Sequence, residues 1–278
     1  MREAGAMKII GICNGKGGVG KTTTGRHLIY AAIERSLRTL AVDLDPQGNL
    51  TKSMLYMKLV AQAGPTVVGS ALSWEHMGLP DVMPSASAHL LYQSEQPVEP
   101  MKIIDGVSMI GATPELADVL TWPLDSALVA RESLKKLTAG FDLCVIDTPP
   151  TMSNLVLGGL ICSQYIVLPT DLSIDSMTGL LETSLKLELV QQEWNPDLEL
   201  IGVLLNKVNP RRADDLSMRT TVRNVFDGAV LDDELQDRAG VRLTSFHPVW
   251  KYRRGESDRR AAREMQAVCT TIFDRVGL

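Results

Sequence analysis

The residues from Gly15 to Thr22 match the pattern G-x-x-x-x-G-K-[ST] at every fixed position. The apolar run Lys8–Cys13 precedes them, and a helical pattern, Thr22–Arg35, follows. A strand, a glycine turn and a helix N-terminus form a cradle for phosphate, because backbone N–H groups point inward and the helix dipole attracts negative charge. In such a cradle Lys21 neutralises the β- and γ-phosphates, and the Thr22 hydroxyl holds Mg²⁺. The alternative is a chance glycine-rich turn, which the complete match and its flanking elements disfavour.

Two further segments place carboxylates at the ends of apolar strands. Asp43 and Asp45 end one run, and Asp147 ends the run Leu143–Asp147. Beside a phosphate loop, a carboxylate of the first pair can position or activate water or hold metal-bound water. Asp147 would hold Mg²⁺, through a water molecule. The alternative interpretation of all three acids is a cap at a strand end.

Near-continuous Val, Ile and Leu runs alternate with helical patterns along the chain, which predicts an α/β fold. We expect a doubly wound, mostly parallel sheet with helices on both faces and ligand loops at the carboxyl ends of the strands. The predicted strands are Lys8–Cys13, Thr39–Asp43, Val107–Gly111, Leu143–Asp147, Tyr165–Leu168, Leu200–Leu205 and Val225–Leu231. The predicted helices are Thr22–Arg35, Ser126–Thr138, Ser153–Cys162, Ser176–Glu193, Ala213–Val225 and Ser257–Val276. We expect one domain, 1–278, with a variable surface excursion at about 56–105, where prolines are scattered.

Composition narrows the class of protein. The four cysteines form no C-x-x-C pair, so neither a zinc cluster nor a disulfide framework is indicated. No secretory signal and no stretch of membrane-spanning length is evident, which predicts a cytoplasmic protein without a membrane partner. Residues 1–200 carry 14 Lys and Arg against 22 Asp and Glu, whereas residues 201–278 carry 14 against 11. The C-terminal excess of arginine is compatible with a local phosphate-binding face, although a solvated helix surface would look similar.

Lys16 is a second lysine within the loop, where Lys21 alone would suffice for an ordinary phosphate site. With this lysine, the segments K-G-G-V-G-K-T-T, D-L-D-P-Q-G-N and I-D-T-P-P resemble the motifs of the deviant Walker ATPases, and specifically of the ParA-type partition ATPases. The resemblance runs from about Lys8 to the C-terminus and is weakest across 56–105. Because the loop begins at residue 15, the chain resembles the short members that lack an N-terminal helix-turn-helix domain.

The resemblance implies a role for each matching position. Lys16 would be the signature lysine that reaches across a nucleotide-sandwich homodimer to the partner's phosphates, and Asp45 would assist hydrolysis of ATP and contribute to the Mg²⁺ site. Asn206 resembles the residue that reads the adenine edge, since an amide offers both a donor and an acceptor, although it could simply cap a strand. The implied nucleotide-binding residues are Gly15, Lys16, Gly17, Gly18, Val19, Gly20, Lys21, Thr22, Thr23 and Asn206.

The short family members bind DNA without sequence specificity through C-terminal basic residues, and their ATP hydrolysis is stimulated by a ParB-like partner. Arg211 resembles one such arginine, and other basic residues could extend the surface. The candidate DNA-binding residues are Arg211, Arg212, Arg219, Arg223, Lys251, Arg253 and Arg254. Contacts of this kind to phosphate give salt-sensitive affinity. The alternative is that these arginines form surface ion pairs with neighbouring acids such as Asp214, Asp215 or Glu256.

The sequence also departs from the family pattern. Where the family continues with I-P-R and a further base, this chain has Asp232, Asp233 and Glu234. This acidic segment supports one alternative function, the positioning of a protein cargo. Spatial regulation of the MinD type and metal-cluster transfer of the nitrogenase-reductase type also stay open. The C-terminal helix lacks the lysine-rich tail of membrane-bound MinD relatives, and its apolar stripe favours packing against the sheet. A cluster carrier needs paired surface cysteines, and Cys144 lies in a predicted buried strand.

Overall fold

The carboxyl ends of parallel strands lie at one edge of a sheet, and the glycine-rich loop and the strand-end acids are expected to meet there. The computed structural model describes residues 6–63, 85–93, 98–151, 153–242, 247–251 and 255–278. Seven strands in this part of the chain form one sheet. They are β1 (Lys8–Ile12), β2 (Thr39–Asp43), β3 (Met101–Ile104), β4 (Val107–Ile110), β5 (Leu143–Asp147), β6 (Tyr165–Thr170) and β7 (Glu199–Leu205).

The strand order is β3-β4-β2-β5-β1-β6-β7. Every neighbouring pair is parallel except β3 with β4, which is antiparallel. The predicted doubly wound, mostly parallel sheet is therefore confirmed. Because β5 lies between β1 and β2, the loop after β1 and the acids that end β2 and β5 share one edge of the sheet.

Helices cover both faces of the sheet. They are α1 (Lys21–Glu34), α2 (Asn49–Ala63), α3 (Ser126–Lys135), α4 (Asn154–Cys162), α5 (Ile174–Glu193), α6 (Ala213–Phe226), α7 (Ala239–Arg242) and α8 (Glu256–Val276). Side chains alternate between the faces of each strand. Ile9 therefore joins a buried cluster with residues of α3, α4 and α5, and Ile10 joins a cluster with residues of α1, α2 and α8.

One predicted strand is wrong. Over Val225–Leu231 the chain completes α6 at Phe226, makes a short 3₁₀ turn at Asp227–Ala229, and returns with only an isolated bridge between Val230 and Val203. The helical period of α6 extends through the apolar residues that suggested a strand. Asp227 then adopts a positive φ of 34°, which reverses the chain before a ladder can form.

We expect a helix or two, without bounds, in the least regular region, and the structure has the helix α2 running into it and an edge strand, β3, that the sequence did not predict. The helix α2 begins directly after Gly48, whose φ is 64°. The edge strand β3 is only four residues long and pairs with β4 through an irregular register. The described part of the expected excursion also contains a 3₁₀ turn, Ala88–Tyr92, whose Leu91 side chain is buried. The rest of it, 64–84 and 94–97, lies outside the described residues.

The C-terminal helix packs as expected, and the cysteines are buried. The apolar stripe of α8 is buried in the cluster with α1 and α2, which confirms packing against the sheet; its members are Ala261, Ala262, Met265, Val268, Ile272, Phe273 and Val276. All four cysteines are free thiols and buried. None of the helices in the described part of the chain is long and apolar enough to traverse a bilayer.

Candidate nucleotide site

The loop between β1 and α1 is shaped by two glycines with left-handed backbone. Gly18 has a φ of 77° and Gly20, at the start of α1, has a φ of 103°. A Cβ atom on Gly20 would also collide with the side-chain amide of Asn206. The first turn of α1 contains no acidic residue of its own, so no helix side chain there opposes an anion. The N-terminus of α1 thus offers backbone N–H groups to a phosphate.

The entry to the loop is fixed by contacts that the sequence analysis missed. Asn14 accepts a hydrogen bond from the backbone N–H of Lys16 at 2.9 Å, and its amide donates to the Pro169 carbonyl at 2.8 Å. The N–H of Gly15 donates to the Thr183 hydroxyl of α5 at 3.0 Å. Asn side chains often accept a hydrogen bond from the backbone N–H two residues further on, which forms an Asx turn. An Asn directly before a glycine-rich loop is therefore a signal that could have pointed to Asn14. No local signal points to Thr183.

Lys21 is buried, and its ammonium group is turned toward the loop's own backbone. It donates to the carbonyl of Asn14 at 3.0 Å and to that of Lys16 at 2.7 Å. Burial lowers the pKa of Lys21, while the nearby Asp147 carboxylate opposes this change. The side chain is therefore positioned inside the cradle, where a phosphate would offer it a stronger, charged acceptor.

Thr22 and Asp147 meet on the metal side of the loop. The Thr22 hydroxyl donates to Oδ2 of Asp147 at 2.6 Å. The other oxygen, Oδ1, is buried and has no hydrogen-bond partner among the described residues. Burial and the neighbouring Asp43 raise the pKa of Asp147 well above its ordinary value. A buried carboxylate oxygen without a donor costs free energy, and a divalent cation would relieve that cost.

The donor set fits Mg²⁺ rather than a metal held entirely by protein. No group of three or more His, Cys, Asp or Glu side chains suited to a metal occurs in the described part of the chain. Magnesium is usually bound through one or two carboxylates together with substrate phosphates and water. Thr22 and Asp147 supply that incomplete shell.

Asp43 and Asp45 have different surroundings. Asp43 pairs in register with Asp147 and accepts hydrogen bonds from the N–H of Asp45 and from the N–H and hydroxyl of Thr51. Its burial raises its pKa to about 6, which the hydrogen bonds from Thr51 and Asp45 partly offset. Asp45 accepts from the N–H of Gln47 at 3.0 Å. Asp43 therefore anchors the turn that carries Asp45, a role that the sequence analysis did not assign.

Asn206 and Lys207 tether the loop from the end of β7. The Asn206 amide donates to the Val19 carbonyl at 2.7 Å, and its oxygen accepts from the N–H of Lys207. The Lys207 ammonium donates to the Gly18 carbonyl at 2.6 Å. In this arrangement both the nitrogen and the oxygen of the Asn206 amide are hydrogen-bonded to the protein backbone. Recognition of adenine by Asn206 stays a prediction.

A cavity of about 410 Å³ opens beside the loop, between α1, α2 and the segment after β7. Its wall includes side chains that the sequence analysis did not single out. They are Arg26, Asn49, Lys52, Ser53, Lys207, Gln236, Asp237, Arg238 and Val241. The predicted residues Gly18, Gly20, Thr22, Thr23 and Asn206 line the same cavity, so half of the nucleotide-binding candidates meet at its wall.

Lys16 contacts its own chain. Its ammonium group donates to the Ser173 hydroxyl at the start of α5 at 2.7 Å. Two carboxylates, Asp171 and Asp175, lie 3.9 Å from the same nitrogen. The lysine side chain is 27% exposed, so the pairing is partly open to solvent and correspondingly weak.

The candidate DNA-binding arginines are largely paired with acids. Arg212 lies 3.5 Å from Asp215, and Arg223 lies 4.0 Å from Asp232. The Arg219 Nε atom lies 3.0 Å from Glu234, close enough for charge attraction but without hydrogen-bond alignment. The positive charges of these three arginines are therefore partly neutralised by neighbouring acids, which reduces the basic surface that we expect for DNA binding.

The remaining candidates of that set differ in position. Arg211 is exposed and forms no ion pair within the described ranges. Lys251 is exposed at the end of a different segment, the described residues 247–251. Arg253 and Arg254 lie outside the described residues.

Comparison with known proteins agrees with this geometry. A family model described as "AAA domain" (AAA_31) matches residues 7–200. The chromosome-partitioning ATPase Soj of Thermus thermophilus is 30% identical over 208 residues, which cover 74% of this chain and 71% of Soj. The chromosome partitioning protein ParA of Myxococcus xanthus is 29% identical over 231 residues, covering 81% of this chain and 74% of ParA.

A solved structure extends the likeness in fold to nearly the whole chain. Cobyrinic acid a,c-diamide synthase of Mycobacterium smegmatis, with bound ATP analogue and magnesium, superposes with a TM-score of 0.73 at 24% identity, over 98% of this chain and 96% of that one. One conclusion follows from the sheet, the loop with its two lysines, the carboxylates at the ends of β2 and β5, and the match to Soj. The chain belongs to the ParA and Soj family of partition ATPases.

Proposed function

We propose that this ATPase is a Mg²⁺-dependent dimerisation switch that serves plasmid or chromosome partition. ATP bound at the loop of each protomer would hold two subunits together, and hydrolysis would separate them. The observation that carries the proposal is the position of Lys16, a cation at the loop entry that contacts Ser173 instead of the phosphate cradle of its own chain. A partner's phosphate offers this ammonium a charge-assisted contact, which is stronger than its present one.

The chemistry is attack of water on the γ-phosphate. Catalysis in this class comes mainly from positioning and from neutralisation of charge. Lys21 would neutralise the β- and γ-phosphates, and Asp45 would position the attacking water. Thr22 and Asp147 would hold Mg²⁺, which neutralises phosphate charge when it is bound.

DNA binding by the ATP-bound dimer is the next part of the proposal. The exposed Arg211 and the basic excess of residues 201–278 support it. Contacts of this kind would be independent of sequence and sensitive to salt. The protein would then be cytoplasmic and nucleoid-associated in its ATP-bound state. A ParB-like protein would stimulate hydrolysis and release the dimer, an expectation that rests on family membership.

A second candidate function is the positioning of a protein cargo with the same nucleotide switch. The pairing of Arg219 and Arg223 with Glu234 and Asp232 favours it, because paired arginines have less positive potential to offer to DNA. Both functions need ATP and dimerisation, and they differ in the ligand of the dimer.

Retention of random-sequence DNA on filters distinguishes the two candidates. The protein is assayed with MgATP, with MgADP and without nucleotide, at low and at moderate salt. ATP-dependent, salt-sensitive retention supports partition through DNA. Absence of retention at low salt, with a dimer detected by light scattering in the same sample, supports the protein cargo. Absence of any ATP-dependent dimer contradicts the switch itself.

A further inference from the structure

Arg26 is a buried cation in the second turn of α1. It is 6% exposed. Its guanidinium donates to the Ser53 hydroxyl of α2 over a long distance, 3.3 Å, and its buried Nε atom has no hydrogen-bond acceptor among the described residues. No carboxylate forms an ion pair with it in the described part of the chain. Within the same ranges, the buried hydroxyl of Tyr30, one turn further along α1, also has no hydrogen-bond partner.

This arrangement is unfavourable for the protein alone. Arginine stays protonated in proteins, and a buried charge that lacks a counter-ion and hydrogen bonds costs free energy. Burial lowers the pKa of Arg26, and the surrounding Tyr30 and Asp147 only partly oppose this. A single long hydrogen bond to a neutral hydroxyl does not compensate a guanidinium, which has five donors. Among the described residues, no anionic group contacts the guanidinium directly.

The location of Arg26 indicates where an anionic acceptor binds. Arg26 lines the cavity of about 410 Å³ together with Gly20, Thr22 and Thr23. Arg26 lies four positions after Thr22, so both lie on one face of α1, and helical side chains lean toward the N-terminus. The guanidinium therefore belongs to the wall that faces the phosphate cradle. Lys21 does not line this cavity, because its ammonium is turned toward the loop carbonyls.

We propose that Arg26 is a further nucleotide-binding residue, whose guanidinium binds a phosphate group that ADP and ATP have in common. The inference rests on the proposed binding of ATP at this loop. In the proposed function Lys21 would serve the β- and γ-phosphates, and Lys16 would reach the nucleotide from the partner. Arg26 on the cavity side of α1 is left for the inner part of the phosphate chain. Its contribution would then be the same for ADP and ATP.

The test measures the affinities of the full-length protein for MgADP and for a non-hydrolysable MgATP analogue by calorimetry. The variants are Arg26→Gln and Arg26→Met, with Ser53→Ala as the matched control that removes the bond to α2 but keeps the charge. Arg26→Gln and Arg26→Met are expected to lower the affinities for MgADP and for the MgATP analogue by the same factor, about tenfold or more. Ser53→Ala is expected to keep both affinities within about threefold, since the guanidinium remains.

Thermal unfolding without nucleotide separates binding from a structural role. Removal of an uncompensated buried charge is expected to leave the Tm of the nucleotide-free protein unchanged or raised. A lower Tm with unchanged affinities for both nucleotides would overturn the inference, as would a loss confined to the ATP analogue. If neither variant folds, Arg26→Lys provides the test. The shorter cation should lower the affinities for both nucleotides equally, and unchanged affinities would contradict the proposal. A wild-type protein that binds no nucleotide would instead contradict the proposed function.

Discussion

The Nζ atom of Lys16 lies 2.7 Å from the hydroxyl oxygen of Ser173 in the same chain. Ser173 in turn donates to Asp171 at 2.6 Å, so the lysine is held by a hydroxyl that is already bonded to a carboxylate. This contact keeps the second lysine of the loop at the start of α5 and away from the phosphate cradle. In the proposed switch, Lys16 exchanges this contact for the phosphates of the partner's nucleotide.

Lys16→Ala is expected to abolish the ATP-induced dimer while nucleotide binding is partly retained. Lys21 and the loop backbone are unchanged in this variant, so the cradle still binds phosphate. Light scattering with a non-hydrolysable ATP analogue measures the mass, and calorimetry measures the affinity. Lys186→Ala, at an exposed position of α5, is the control and should dimerise. A Lys16→Ala protein with the mass of a dimer would contradict the assigned role.

Asp45→Ala is expected to slow ATP turnover by about tenfold or more, the usual scale for loss of a group that positions water or accepts a proton. The dimer should then persist, because hydrolysis no longer separates the subunits. Phosphate release gives the rate, and light scattering over time gives the lifetime of the dimer. If turnover matches that of the unmodified protein, Asp45 does not assist hydrolysis.

Asp232→Asn combined with Glu234→Gln is expected to increase DNA affinity. Each change removes an acid that faces an arginine of α6, Arg223 and Arg219 respectively. The freed arginines should also steepen the decrease of affinity with salt, since each additional phosphate contact releases counterions. Filter retention with MgATP at several salt concentrations measures both effects.

Asp233→Asn is the matched control for that pair. Its carboxylate accepts a hydrogen bond from Thr271 of α8 at 2.6 Å and faces no α6 arginine in the described structure. Asp233→Asn removes one negative charge where the double variant removes two, so a gain in log affinity for DNA of about half that of the double variant would indicate a general effect of net charge. Unchanged retention in the double variant would show that the two ion pairs do not limit DNA binding.

The free energy of unfolding of the protein is expected to decrease as the pH falls below about 6.5, the ordinary pKa of histidine, because His27 is buried without a second ring proton. Its Nδ1–H donates to the Thr23 carbonyl and its Nε2 accepts from the N–H of Val249, so a second ring proton has no place. Burial, with the nearby Arg26 charge, lowers its pKa to about 3. Between these values the unfolded chain binds a proton that the folded one does not, and the free energy of unfolding decreases by up to about 1.4 kcal/mol per pH unit.

Denaturant unfolding of wild type and His27→Asn between pH 4.5 and pH 7 checks this prediction. The difference in unfolding free energy between the two proteins should shrink as the pH falls. His89→Gln, a change at a histidine outside the α1 core, is the control and should keep the wild-type pH dependence. Parallel curves for wild type and His27→Asn would mean that His27 does not titrate as described.

The sequence predicted the elements with strong periodicity and failed where local patterns were ambiguous. The order of buried strands and covering helices identified the parallel sheet, because apolar strands such as Leu143–Asp147 have few other uses. The strand predicted over Val225–Leu231 was wrong, since apolar residues at the end of an amphipathic helix and in a short strand have similar patterns. The antiparallel β3 is a short edge strand that depends on pairing with β4 rather than on its own composition.

The candidate site shows the same division. The loop, Asp45 and Asp147 followed from local motifs. Arg26 and Thr183 did not, because their relation to the loop arises from how α1, α2 and α5 pack. Ion pairing of the candidate arginines was the stated alternative, and Arg212 does pair with Asp215. The acids that pair with Arg219 and Arg223 were not named, because those contacts depend on tertiary geometry.

The structure of the protein with a non-hydrolysable ATP analogue and Mg²⁺ tests the central claim most directly. We predict a twofold dimer with nucleotide in both loops, in which the Lys16 ammonium has left Ser173 and lies within hydrogen-bond distance of the partner's phosphates. A loop without nucleotide, or Lys16 still bonded to Ser173 or pointing into solvent in every assembly, would contradict the account.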